Sequence, residues 1–111
     1  MARNLKKDYL MKLLKMEKNG YKFDIANYLH NPSYDHDNPS FRKTIAEDDE
    51  TMTVNEIMYF KHWNGEGEYT SVTSTYTKAE AVGSWNIAHK VERKVLGTGN
   101  RFNLNTLLSY C

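Results

Sequence analysis

Apolar residues return every three or four positions through residues 4–19, NLKKDYLMKLLKMEKN. Leu5, Tyr9, Leu10, Leu13, Leu14 and Met16 fall on one side of a helical wheel, and Lys7, Lys12, Lys15 and Lys18 on the other. This spacing predicts an amphipathic helix with a basic outer face. Asn19-Gly20 follows, a pair suited to the left-handed backbone of a helix C-cap. A short second helix is expected from Asp24, with Ile25, Tyr28 and Leu29 as its apolar side and Asn31-Pro32 as its end.

The period then changes from helical to alternating. Ser40 to Ala46 reads as a short strand, and the acidic run Glu47-Asp48-Asp49-Glu50 as a solvated turn. VNEIMYFKHW leads into NGEG and out into EYTSVTSTYT. Asn-Gly between β-rich segments is a hairpin signal. The outgoing arm, Tyr69 to Thr77, is built of Thr, Ser, Val and Tyr, which suit a pleated surface. Thr53 and Glu56 have capping-box spacing, so residues 54–63 admit a helical start as well; strand is preferred because turn and partner arm fit together. A second capping box, Thr77 to Glu80, predicts a long final helix with Ala81, Val82, Trp85, Ala88, Val91 and Val95 as its buried stripe. Gly97-Thr98-Gly99 ends it, and RFNLNTLLSYC is a short helix or an edge strand. The expectation is one α+β domain over residues 1–111: N-terminal helices, a three-stranded antiparallel β-meander and a long C-terminal helix.

Composition narrows the function. The chain has 111 residues, net charge +1, and eight Tyr, four Phe and two Trp. It is too neutral overall for a nucleic-acid mimic or for a protein held to DNA chiefly by charge. The single cysteine, Cys111, allows no internal disulfide and no Cys-rich zinc site. The start MARNLKKD lacks the apolar segment of a signal peptide, and no apolar run nears the roughly 18 residues of a membrane span. A cytoplasmic protein without a membrane segment is expected.

The stretch HNPSYDHDNPSF, His30 to Phe41, holds both prolines and two of the four histidines. His30, Asp35, His36 and Asp37 are competent metal ligands by type. Their spacing is not that of a recurring site, and Asn31-Pro32 and Asn38-Pro39 read as turn starts, so no metal and no cofactor are expected. Residues 31–41 also resemble the zinc-ribbon signature of bacterial primases, C-P-F-H-x-D-x-x-P-S-F, through Pro32, Pro39, Ser40 and Phe41. Asn31 and Tyr34 stand where that family has its Cys and His ligands, so the resemblance implies a ribbon without its metal. Residues 54–82 resemble the three-stranded-sheet DNA-binding domains of tyrosine recombinases, with WNGEGEY as the turn and Thr77-Lys78-Ala79-Glu80-Ala81 as the helix start. Those sheets direct Lys and Arg at phosphates, whereas Tyr69–Thr77 has neither.

Catalysis has little support. Ser71, Ser74 and Ser84 lack a nucleophile-elbow context, the acids cluster in one solvated run, and GEG and GTG lack a phosphate-loop setting, so no catalytic residue is assigned. The aromatic residues carry more. Tyr59, Phe60, Trp63, Tyr69 and Tyr76 crowd one hairpin. One layer of helices cannot cover both faces, and outward Tyr and Trp are frequent contact residues of protein interfaces. Tyr59, Trp63, Tyr69 and Tyr76 are therefore the candidate partner-binding residues. Lys7, Lys12, Lys15 and Lys18 are the candidates for nucleic acid, to which affinity would be weak. The chain is similar in kind to small accessory proteins of phages and mobile elements, which implies a non-catalytic protein that binds and inhibits a host protein, possible targets including a defence nuclease, as anti-CRISPR proteins do. The alternative is a nucleic-acid-binding module using the sheet or the basic helix faces.

Overall fold

The computed structural model describes residues 7–25, 39–77 and 88–111. Its elements are α1 (Lys7–Leu14), β1 (Glu17–Lys18), β2 (Tyr21–Phe23), β3 (Phe41–Glu47), β4 (Thr51–Lys61), β5 (Gly67–Thr77), β6 (Ala88–Thr98) and α2 (Leu104–Ser109). The six strands form one antiparallel sheet in chain order. This corrects the expected α+β arrangement at two points: the meander has six strands rather than three, and no long C-terminal helix follows it.

The second correction has a clear physical origin. The stretch assigned to the last helix includes residues 88–98, which form β6 and pair with β5 from Tyr76↔Ala88 to Glu68↔Thr98. Val91 and Val95 are four apart, a spacing that suits one face of a helix and one face of a strand equally. A β-rich partner arm decides for the strand. Thr77 closes β5 and Ala88 opens β6; residues 78–87, with the remainder of the capping box and the stripe residues Ala81, Val82 and Trp85, lie outside the described residues, as do the rest of the helix start likened to recombinase domains and most of the short helix expected after Asp24.

The first helix is shorter than residues 4–19 suggest. It ends at Leu14, and Asn19-Gly20 is a hairpin turn rather than its cap. Lys18 pairs with Tyr21, leaving a two-residue loop with φ of 53° at Asn19 and 89° at Gly20. Positive φ at both positions marks the tight turn whose twist matches flanking strands. At the other turns, the acidic run is solvated as expected. Asp48 Oδ1 accepts from the backbone N–H of Glu50 and Thr51 at 2.8 and 2.7 Å.

Among the described residues, α1 and α2 lie on one face of the sheet. Leu13 from α1 and Leu107 from α2 are fully buried in a cluster with Phe23, Phe41, Ile57, Tyr59 and Tyr69. Asn103 caps α2, its Oδ1 accepting from Thr106 N at 3.1 Å. Lys18 Nζ donates to the Leu108 carbonyl at 2.7 Å, a cation at the negative end of the helix, and ties β1 to α2. Farther along the same face the sheet is polar. Asn55 Nδ2 donates to Ser71 Oγ at 2.7 Å and Thr73 Oγ1 at 2.9 Å, Asn55 Oδ1 accepts from Tyr21 OH at 2.6 Å, and the Thr53 and Thr75 hydroxyls meet at 3.3 Å. On the opposite face Val54, Met58 and Val72 are buried, together with Thr70 and Ser74.

Candidate functional site

The four aromatic candidates separate. Tyr59 and Tyr69 are directly opposed on β4 and β5 and point into the helix-covered core, 3 % and 2 % exposed. Their rings lie 4.9 Å apart, and each hydroxyl is occupied. Tyr59 donates to the Gly99 carbonyl at 2.8 Å; Tyr69 accepts from Asn103 N at 2.9 Å. Together they fix the chain between β6 and α2. Gly67 lets this happen, because a Cβ there would fall on the Tyr59 hydroxyl. These two tyrosines belong to the core and offer a partner no surface. Tyr76 is half-buried on the other face, opposite Met52.

Trp63 is different. It stands at the tip of the β4–β5 hairpin, 98 % exposed. The loop from His62 to Glu66 is closed by His62 N donating to Glu66 O at 2.6 Å and by Gly65 N donating to His62 O at 2.9 Å. Gly65 takes φ 90°, a conformation glycine adopts without a Cβ penalty. Asn64 Oδ1 accepts from Glu66 N at 3.0 Å. The indole is thus held clear of the domain on a hydrogen-bonded turn, with little backbone freedom left to lose on binding.

Beside that tip, on the sheet face opposite the helices, lies a groove of about 450 Å³. Phe60, Thr70, Arg93 and Val95 line it from this face, Lys61 and Lys94 border it from positions that alternate to the helix-bearing face, and His62 and Glu68 complete the lining. His62 Nε2 and Glu68 Oε1 approach to 3.2 Å. Thr70 is 4 % exposed, and its hydroxyl is buried without a hydrogen-bond partner. Residues 90–95 of the neighbouring β6 are all exposed, Val91 and Val95 by about half. The helical reading of residues 88–95 hid this edge. Its alternation of Val91, Arg93 and Val95 against Lys90, Glu92 and Lys94 is the signal that reveals it.

The four lysines do not share one helical face. Lys7 and Lys12 lie on α1, Lys15 just beyond it and Lys18 on β1, all exposed. Cys111 is half-buried against the core, its backbone N donating to Leu108 O at 3.1 Å. Burial pushes its thiol up to about 11, partly offset by Lys18. Of the Pro-rich stretch, residues 30–38 lie outside the described residues. Pro39, Ser40 and Phe41 are buried, and Ser40 Oγ donates to Glu56 Oε2. Among the described residues no three His, Cys, Asp or Glu side chains gather as metal ligands, and no helix is long and apolar enough to cross a membrane. Comparison of the chain with family models, curated proteins and solved structures gives no match.

Proposed function

We propose that this is a non-catalytic cytoplasmic binding protein, of the kind encoded by phages and mobile elements, that engages and restrains a host protein, such as a defence nuclease, through its β4–β5 hairpin. The observation that carries the reading is Trp63, exposed at the end of a turn held by three backbone hydrogen-bonding contacts. A large amphipathic ring on a preformed turn gains contact area on binding at small entropic cost. The groove and the exposed valines beside it extend the same surface.

The test is site-specific photocrosslinking. Benzoylphenylalanine at position 63 is expected to give one discrete adduct with a host protein, and the same group at Lys7 none. Adducts of equal yield from both positions, or none from position 63, would remove the hairpin from the interface. The polar sheet face, with Ser71, Thr73 and Thr75 beside Lys43 and Lys94, favours nucleic acid as a second reading. Its mark is tight DNA binding that survives salt.

A further inference from the structure

We infer that the groove and the adjoining edge of β6 receive an acidic, extended segment of the protein partner, added to the sheet as a further strand, with one of its apolar side chains between Phe60 and Val95. This inference rests on the protein-binding reading and specifies the chemistry of what is bound. Two independent features of the site converge on it.

The first is the edge. β6 closes one side of the six-stranded order, so the outward backbone groups of an 11-residue strand have no neighbouring strand among the described residues. Register shifts flank residues 90–95, leaving a regular stretch of pairing length between two irregularities. An open edge of this kind is a template for an incoming strand.

The second is charge. Lys90, Arg93 and Lys94 stand against Glu92 alone, and Lys90 Nζ already meets Glu92 Oε1 at 2.8 Å. Arg93 and Lys94 have no ion-pair partner among the described residues, and with Lys61 they border the groove. Cations on an edge discourage indiscriminate pairing and select strands of opposite sign. They disfavour a second copy of β6 for the same reason, because two positive strands would lie side by side.

The test uses the full chain and two synthetic 12-residue probes, one alternating Val and Glu, the other Val and Lys. Amide exchange and chemical shifts are followed by NMR at fixed moderate salt. The Val–Glu peptide is expected to protect β6 amides, to shift Phe60, Thr70 and Val95, and to bind at least about tenfold tighter than the Val–Lys peptide, because like charges across a strand pair are destabilising. The double variant Arg93→Glu/Lys94→Glu is expected to reverse that preference. Equal binding of both peptides, or no β6 protection by either, overturns the inference. So does protection of β6 in peptide-free protein that sediments as a dimer, which would assign the edge to a second copy. Failure here with the position-63 crosslink intact overturns only the strand-addition inference; loss of the crosslink with peptide binding intact overturns only the hairpin reading.

Discussion

Replacing Tyr69 by Phe removes one oxygen from the centre of the domain and leaves the ring in place. The side chain is 2 % exposed, so the ring's burial and its contacts at 4.9 Å with Tyr59 and 5.7 Å with Tyr110 are retained. What goes is the bond accepted from Asn103 N at 2.9 Å and a longer one donated to the Arg101 carbonyl at 3.4 Å. A neutral hydrogen bond contributes about 1 kcal/mol net, and the longer contact less, so the expected loss is about 1–2 kcal/mol. For a domain of this size that lowers the melting temperature by roughly 4–10 °C. Asn103 also caps α2, so amide exchange at Thr106 should accelerate with it. Urea denaturation at constant m-value measures the loss. A change below about 0.3 kcal/mol would mean the hydroxyl does not hold the β6–α2 connection, and would refute the assignment of Tyr69 to structure through its oxygen.

Gly67→Ala places a methyl on the Tyr59 hydroxyl and should destabilise by about 1–3 kcal/mol in the same urea assay, the usual cost of overpacking. The Cys111 thiol, raised to about 11 by burial, should react with a thiol reagent at pH 8 at least about tenfold more slowly than in urea-unfolded protein. Its folded value lies above its unfolded one, so the stability it contributes is full below the unfolded value and is lost as pH rises from about 9 towards 11. DNA binding measured by fluorescence anisotropy at physiological salt should be no tighter than roughly 10⁻⁴ to 10⁻⁶ M, and Lys7, Lys12, Lys15 and Lys18 changed to Gln should remove most of it. Nanomolar affinity surviving roughly 200 mM salt would favour the nucleic-acid reading, because binding held only by phosphate contacts falls steeply with salt.

Local chemistry was legible where the local signals agreed, or where, as for residues 54–63 with their competing capping box, a turn and a matching partner arm outweighed the alternative. The strand from Ser40, the acidic turn and the long hairpin around Asn64-Gly65 all follow from alternation and turn residues. The short-helix alternative for the tail is realised as α2. The readings that failed did so where two signals share a spacing. Asn19-Gly20 suits a helix cap and a two-residue hairpin equally, and the short strands either side, β1 and β2, carry too few residues to reveal a period. Val91 and Val95 suit both periods, and pairing with β5, a contact the local sequence does not contain, decides between them. The same missing contact explains the tyrosines. Alternation puts Tyr59 and Tyr69 on one face of the hairpin, but only the position of α2 and Gly99 shows that this face is the buried one. Trp63 needed no long-range information, because a residue at the tip of a hairpin has little to pack against.

The central claim, that the hairpin tip is a contact surface and not part of the fold, is tested most directly by Trp63→Ala in paired measurements. The host protein captured through position 63 is titrated calorimetrically with the unaltered protein and with the variant, and both are unfolded in urea. An indole that is 98 % exposed leaves almost no burial to lose, so stability should stay within about 0.5 kcal/mol. Affinity should fall by more than about 2 kcal/mol, as for an interface hot spot. Unchanged affinity, or a stability loss of several kcal/mol in its place, would contradict the claim and return Trp63 to the architecture of the domain.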